Sequence, residues 1–291
     1  MILSGVHIIC FAATYFIALA LEITRLWVHA KWRRFLVIGV ASIGLVAHTW
    51  YLGQRVATNP TAPLASHYDW FLTAAWLIVA VTLLLWFYFP RSPAGLFLLP
   101  VALALIGATQ FAATTPLASF QAPRFWGRVH AVCLMLGTVA VICGFLAGVM
   151  YLWQSYRLKH KLPPSDRFSL PSLEWLERVN SRSLGFSTLL VSVGFITGVL
   201  GRLAHDGVQG IVPWTDPVVL SLAAMLGWLL ISEVFRLICP AARQGRKVAY
   251  LTLAAFVFLL ITLTSVAVLD QAVHPGRNSS ATDTGSLQDS Q

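Results

Sequence analysis

Long apolar runs separated by short polar segments make up most of this chain. Each run is about as long as the roughly 20 helical residues that cross a bilayer. Such continuous runs favour helices over the alternating strands of a barrel, and a helix satisfies all of its backbone polar groups internally. The pattern therefore predicts an all-α integral membrane bundle of about eight transmembrane helices, at Ile2–Leu26, Phe35–Gly53, Trp70–Phe89, Leu96–Thr114, Val129–Tyr156, Ser183–Leu203, Val218–Leu237 and Val248–Leu269.

Two polar stretches interrupt this pattern. Between the fifth and sixth spans, apolar residues recur at helical spacing opposite Glu174, Glu177 and Arg178; they are Leu170, Leu173, Leu176 and Val179. We predict an amphipathic helix there, lying along the cytoplasmic surface. The final segment has no apolar periodicity, so we expect residues 1–275 to form a single polytopic membrane domain and residues 276–291 to be a disordered external tail.

Lys and Arg indicate the orientation, because they accumulate in cytoplasmic loops. Of the 20 basic residues, 15 fall in or next to the first, third, fifth and seventh loops. The other face keeps Arg55, Arg124, Arg128, Arg202 and Arg277. The odd-numbered loops are therefore predicted to be cytoplasmic, with both termini outside.

Composition supports a membrane protein and argues against nucleic-acid binding. The chain is 57% hydrophobic and only 11% charged, far from the roughly 25% charged residues of soluble domains. Its formal charge of +9 is spread over several short loops rather than gathered on one face. We interpret that charge as a consequence of topology and expect the bilayer, not a nucleic acid, as a partner.

Small residues predict a contact between the fifth and sixth spans. Gly144 and Gly148 are four residues apart in the fifth span, and Gly194 and Gly198 are four apart in the sixth. Such spacing allows helix backbones to approach closely. We expect these two helices to pack against each other.

Histidines are the main candidates for chemistry. His48 lies about 20 Å along the second span from its cytoplasmic end, at 1.5 Å per residue. His130 opens the fifth span on the outer side, and His274 follows the eighth. An imidazole inside a membrane bundle suggests a functional site, and haem iron is a natural acceptor for its lone pair. The alternative is a histidine that hydrogen-bonds a neighbouring helix or reaches the membrane interface.

The remaining histidines and the acidic residues are less informative. His67 and His205 are predicted to lie in external loops, and His7 in the outer third of the first span. Glu22 and Glu233 each precede an arginine by three residues near a cytoplasmic helix end, which is typical of interfacial ion pairs. The scarcity of carboxylates within the spans makes a transporter that does not handle haem a distant alternative.

Three stretches of the second half resemble a known family. Leu173-Glu-Trp-Leu-Glu-Arg178 leads into Gly185-Phe186, Gly194-Phe-Ile-Thr-Gly198 follows, and an external loop closes on Trp214-Thr-Asp216-Pro217. This order resembles the cytochrome c assembly protein family, and the eight-span size is similar to its CcsA and HemX-like branch. The resemblance is clearest from His130 to His274.

The resemblance implies haem handling on the external face. Family members present haem to apocytochrome c under a tryptophan-rich external loop, the WWD motif, with an axial histidine on each side. His130 and His274 match these two positions, Trp214 and Asp216 match the end of the loop, and His48 is a candidate site where haem enters. The resemblance further implies non-covalent b-type haem, a membrane partner in cytochrome c synthesis and the inner (cytoplasmic) membrane of the cell.

Two functions remain open from the sequence. The loop Ala204–Pro217 contains one tryptophan, so an aromatic platform for a porphyrin is depleted here. A haem-delivery component of cytochrome c maturation requires a working platform. A HemX-like, non-catalytic haem-binding, regulatory or scaffold protein does not. The sequence leaves enzyme activity open and favours an assembly or haem-delivery factor over a stand-alone enzyme.

The charge distribution makes a topological prediction. A reporter inserted between residues 157 and 182 should report the cytoplasm, and a reporter placed after Gly276 should report the external side. Paired alkaline phosphatase and green fluorescent protein fusions measure both positions. An external signal from the 157–182 segment would contradict either the helix count or the orientation.

Overall fold

Eight α-helices make up most of the described part of the chain. The computed structural model describes residues 7–24, 31–58, 66–89, 93–112, 124–161, 170–203, 215, 217–239 and 245–273. The helices are α1 Ile8–Ile23, α2 Lys31–Thr58, α3 His67–Tyr88, α4 Ala94–Ala108, α5 Arg124–Lys159, α6 Leu173–Leu203, α7 Pro217–Ile238 and α8 Arg246–Val273. A 3₁₀ turn, Thr109–Phe111, follows α4.

The helices have the length and composition that a bilayer requires. Seven of them are long and apolar enough to cross a membrane, and the described part of α1 is a shorter apolar helix of 16 residues. No strand occurs among the described residues. The predicted all-α integral membrane bundle is therefore confirmed, and the chain is a multi-pass membrane protein.

The helices pack as two groups of four. In the first group α1 contacts α2 and α4, and α3 contacts α2 and α4. In the second group α5 contacts α6 and α8, while α7 contacts both α6 and α8. Contacts of α5 with α3 and α4 join the groups. His48 on α2 and His130 on α5 consequently belong to different groups.

A stripe of buried side chains on one face of α1 packs against α2. Phe11, Tyr15, Ala18 and Glu22 are buried and recur at the spacing of one helix face. Gly44 on α2 makes room for them, because a Cβ there would lie 2.3 Å from the Thr14 hydroxyl and 2.7 Å from the Tyr15 ring. The close approach places this face of α1 against the turn of α2 that contains His48.

Glycines also bring α5 and α6 together, as predicted. A Cβ on Gly194 would lie 2.6 Å from the Leu134 side chain, and one on Gly144 would lie 3.0 Å from Ser183. Gly148 approaches α8 instead, with Ala249 and Thr252 as neighbours. The predicted contact between the fifth and sixth spans is thus confirmed, and the same region of α5 also supports α8.

A buried polar contact joins α6 to α8 and α5. The Asn180 side chain is 1% exposed and lies 2.7 Å from the Thr252 hydroxyl. In the amide orientation that satisfies both of its ends, the Asn180 nitrogen also donates to the Gly144 carbonyl at 3.1 Å. Because unpaired polar groups are costly in a bundle core, this contact fixes the rotation of α6 relative to its neighbours.

The segment predicted as a separate surface helix is part of α6. The predicted helix exists, but Leu173–Leu203 is one continuous helix. Leu176 is fully buried and packs with Met150, Tyr151 and Ala249. The apolar stripe therefore faces the C-terminal part of α5 and the start of α8 rather than the lipid surface.

Ion pairs lie near the helix ends. Glu233 pairs with Arg236 at 2.7 Å, which confirms the predicted interfacial pair. Glu22 lies 3.7 Å from Arg33 on α2, whereas its predicted partner, Arg25, lies outside the described residues. The α2 residue Arg33 also donates to the Leu21 carbonyl at 2.9 Å, so it ties α2 to the end of α1.

Alanine substitutions at two glycines should have different effects on the free energy of unfolding. Gly194→Ala should lower the free energy of unfolding by about 1–3 kcal/mol, the usual cost of overpacking, because Leu134 must move. Gly227→Ala should be neutral or stabilising, since nothing lies within 4 Å of its Cβ position and alanine favours helix. Thermal unfolding in detergent measures both variants. Equal melting temperatures would contradict the packing described here.

Candidate functional site

His130 lies six residues into α5 and faces α6. Its Nδ1 is 2.7 Å from the carbonyl oxygen of Gly194. A carbonyl only accepts hydrogen bonds, so Nδ1 must carry the proton and donate. In the neutral imidazole, the lone pair then resides on Nε2.

Gly198 provides the space in which the His130 ring lies. A Cβ at Gly198 would be 2.8 Å from Cε1 and 2.9 Å from Nδ1 of that ring. The Gly194–Gly198 pair therefore does two things: it brings the helices together, and it leaves a notch that orients the imidazole. The sequence signal for this contact is the four-residue spacing of the glycines.

The other residues predicted at the external site lie outside the described residues. They are His274, Trp214 and Asp216. The described part of α8 extends to Val273, immediately before His274. Helices α5 and α8 pack together, with the rings of Phe145 and Phe256 stacked at 3.9 Å between centroids. The approach of His274 to His130 remains a prediction.

His48 is completely buried between α1 and α2. Its Nδ1 lies 3.2 Å from the Tyr15 hydroxyl. The ring of Phe11 stacks on the imidazole at 4.1 Å between centroids and 6° between planes. The aromatic pair on α1 therefore fixes both the position and the plane of this ring.

The second nitrogen of His48 has no hydrogen-bond partner in the described part of the chain. Nε2 is buried there without a donor or acceptor. A buried polar atom without a partner costs about 1–3 kcal/mol. The tyrosine hydroxyl satisfies one nitrogen only, so this imidazole retains unused capacity to bind a ligand.

A polar cluster lies beyond His48, at the C-terminal end of α2 and the N-terminal end of α3. Arg55 forms an ion pair with Asp69, and its guanidinium lies 4.6 Å from the Tyr68 ring centroid. The Tyr68 hydroxyl is 2.6 Å from that of Tyr51. Asp69 is fixed because it forms a capping box with Ser66 at the start of α3.

The cluster shares one face of α2 with His48. Arg55 is seven residues after His48, or about 10 Å along the axis, and Tyr51 is three residues after it. The charge of Arg55 is balanced by its ion pair with Asp69. Sequence reasoning missed these residues. The Ser66-x-x-Asp69 capping spacing is the one local signal that could have indicated them.

The remaining described histidines have ordinary structural positions. His67 is the first residue of α3 and is partly buried, so its prediction as a loop residue is wrong. His7 is the N-cap of α1, just before the helix rather than within it. His160 follows α5 and lies against the Tyr156 ring. His205 lies outside the described residues.

Protein side chains alone do not form a metal centre in the described part of the chain. No group of three or more His, Cys, Asp or Glu side chains meets there. His48 and His130 each present one imidazole from a different pair of helices.

These features define a class: a multi-pass helical membrane protein with inward-facing histidines on two helix pairs. The family model "Cytochrome C assembly protein" matches residues 36–274. The chain belongs to that family, which gives it a role in c-type cytochrome biogenesis. The resemblance noted in the sequence is confirmed and also extends over the first half of the chain.

Named relatives have low identity but long coverage. The chain is 22% identical to cytochrome c biogenesis protein CcsA of Guillardia theta, over 89% of this chain and 93% of the relative. It is 20% identical to the protein of the same name from Gloeobacter violaceus, with the same coverage. No solved structure matches the chain. Similarity over nearly the whole length makes the relatives comparable in size.

The His48 site predicts a stability difference between two tyrosine variants. Tyr15→Phe leaves both nitrogens of His48 without a partner among the described residues, so it should lower stability by about 1 kcal/mol, as for other interhelical hydrogen bonds in membranes. Tyr250→Phe is the matched control, because Tyr250 is 59% exposed. Thermal unfolding in detergent compares the two. Indistinguishable melting temperatures would show that the Tyr15 contact contributes nothing.

Proposed function

We propose that this protein holds or presents haem on the external membrane face during maturation of c-type cytochromes. His130 and His274 are the proposed axial ligands of a non-covalently held b-type haem. The observation that carries the proposal is the hydrogen bond from His130 Nδ1 to the Gly194 carbonyl. Membership of the cytochrome c assembly family supports it.

The His130 hydrogen bond is the kind of outer contact that a haem ligand requires. An axial histidine usually donates the N–H of its non-ligating nitrogen to a carbonyl, carboxylate or water, which fixes the ring and raises its basicity. In this chain the carbonyl belongs to Gly194 on a packed neighbouring helix, and Gly198 leaves space for the ring. His130 would thus hold its Nε2 lone pair in a defined direction before any ligand binds.

Trp214 and Asp216 are the proposed contacts of the porphyrin above the helices. The loop that contains them joins α6 to α7, so it begins at the end of the helix whose Gly194 carbonyl accepts the hydrogen bond from His130. The indole of Trp214 offers an apolar face on which a porphyrin can stack. Asp216 directly precedes α7 in the sequence, and its carboxylate would be suited to a basic group of the apocytochrome.

His48 is proposed as a second haem-binding position, used when haem enters the bundle. Its unpartnered Nε2 supports this role. The stacked Phe11 ring covers one face of the imidazole, so a ligand would approach along the ring edge at Nε2. Ligation there would give the buried nitrogen the partner that it lacks among the described residues.

The proposed partners follow from the same role. Haem is the cargo, apocytochrome c is its recipient, and a second membrane protein of the cytochrome c synthesis system completes the assembly. The relatives' name, cytochrome c biogenesis protein, supports this set. We propose the inner (cytoplasmic) membrane of the cell as the location, with the bilayer around all eight spans.

A HemX-like scaffold or regulatory protein is the second candidate function. It is favoured by the single tryptophan between residues 204 and 217, since a stacking platform with one indole holds a porphyrin weakly. In that function the histidines bind haem without delivering it, or do not bind it. Spectra of the purified protein separate these cases.

Haem content across single variants tests the proposal. Wild-type protein made with ample haem should show a Soret band. His130→Ala and His274→Ala should each lower haem per protein several-fold and move the spectrum toward the five-coordinate form, because each removes one axial donor. His48→Leu should lower it less, and His205→Ala should have little effect. Absorption spectra at equal protein concentration provide the measurement.

Imidazole rescue separates loss of a ligand from loss of the fold. Added imidazole should restore the six-coordinate spectrum of His130→Ala, because the free ring can occupy the notch at Gly198. Equal haem in wild type, His130→Ala and His274→Ala would refute the axial pair. If wild-type protein has no Soret band, haem delivery is refuted and only a haem-free scaffold remains.

A further inference from the structure

A charged groove lies between α6 and α7, at the end of the bundle that the charge distribution assigns to the cytoplasm. Its volume is about 360 Å³, and six of its seven lining residues are polar or charged. The lining residues are Glu177, Arg178, Ser181, Arg182, Glu233, Arg236 and Leu237. None of them is used by the proposed haem sites.

Arg236 lies at the base of this groove, and its guanidinium is occupied by contacts within the protein. Its guanidinium pairs with Glu233 at 2.7 Å and donates to the Ser181 carbonyl at 3.4 Å. It also contacts the Ser181 hydroxyl. With a side chain only 15% exposed, Arg236 joins α7 to α6 and gives the groove a fixed base.

The guanidinium groups of Arg178 and Arg182, in contrast, can contact a ligand bound in the groove. Arg178 pairs with Glu174 at 3.1 Å, but both side chains are mostly exposed, and such pairs are easily exchanged. Arg182 is exposed and has no hydrogen bond or ion pair with any described residue. The lining itself has three arginines and two glutamates, and Glu174 beside it balances Arg178, so Arg182 is the cation of this groove without an ion pair to a described residue.

Apolar surface borders the charged groove. Leu237 is 68% exposed, and its α7 neighbours Val234 and Ile238 are also exposed. A ligand that fits both surfaces has an anionic head and hydrocarbon chains. Basic pockets between transmembrane helices on the cytoplasmic side bind lipid head groups in this way.

We propose that this groove binds the phosphate group of an anionic phospholipid, held by Arg182 and Arg178, with its acyl chains along α7. Guanidinium groups match phosphate oxygens in a two-point geometry, and the match is better than for a lysine ammonium. On binding, Arg178 exchanges its exposed contact with Glu174 for the phosphate. Arg236 keeps its pair with Glu233 and positions the two helices.

Native mass spectrometry of the full-length protein in detergent tests this site. The probes are dioleoyl-phosphatidylglycerol and, as a neutral lipid with the same chains, dioleoyl-phosphatidylcholine. Phosphatidylglycerol should bind more tightly. Arg182→Gln should weaken its binding about fivefold, the effect expected for one basic residue at a membrane surface, and should leave phosphatidylcholine binding unchanged.

Matched variants distinguish lipid binding in the groove from a general effect of exposed positive charge. Lys159→Gln removes an exposed cation from the end of α5, outside the groove, and should not alter binding. Glu174→Gln frees Arg178 and should strengthen phosphatidylglycerol binding. Equal losses in Arg182→Gln and Lys159→Gln, or weaker binding in Glu174→Gln, would overturn the proposal.

The source of the phosphate is tested by competition. Millimolar inorganic phosphate should not displace phosphatidylglycerol, because it lacks the chains that contact α7. Displacement would assign the groove to a soluble phosphate and overturn the lipid proposal. Thermal unfolding of each variant without added lipid should match wild type, which shows that Arg182→Gln acts on binding and not on folding.

Discussion

The close approach of α5 and α6 determines the arrangement of the second half of the protein. Lipid chains are as apolar as leucine, so membrane helices associate through packing and hydrogen bonds rather than through the hydrophobic effect. Gly194 removes the side chain that would hold the helices apart, and its own carbonyl accepts the hydrogen bond from His130. The contact between α5 and α6 and the orientation of the His130 ring therefore both depend on Gly194. A larger distance between the two helices would remove both.

The polar side chains of the bundle differ in charge between the helix ends and the middle of the helices. Ion pairs occur near helix ends, at Glu22–Arg33 and Glu233–Arg236 on one side and Arg55–Asp69 on the other. Buried polar groups near the middle of the helices are neutral, such as Thr138 on α5 and Ser187 on α6. Charges at the interface can use water and head groups, whereas charges in the core would need a buried counter-ion. A neutral imidazole is therefore the form suited to both candidate ligands.

Sequence predicted the spans, the α5–α6 contact and the interfacial pair Glu233–Arg236. The length of the apolar runs predicted the spans, the four-residue spacing of the glycines predicted the contact, and the position of Glu233 and Arg236 near a helix end predicted the ion pair. It could not predict that Phe11 and Tyr15 face His48, because a helix that is apolar on every side gives no periodicity to mark its inward face. The continuity of α6 was missed for a related reason. A charged face opposite an apolar stripe describes a surface helix and a helix packed on a neighbour equally well.

The two candidate histidines differ in what remains for a ligand to supply. His130 bonds a backbone carbonyl, which defines its tautomer and leaves the lone pair on Nε2. His48 bonds a hydroxyl, which can donate or accept, so its tautomer can adjust to whatever reaches Nε2. A half-satisfied polar group is less stable in a core than an apolar residue of the same shape. Ligation at Nε2, as proposed for His48, would give this nitrogen the partner that it lacks among the described residues.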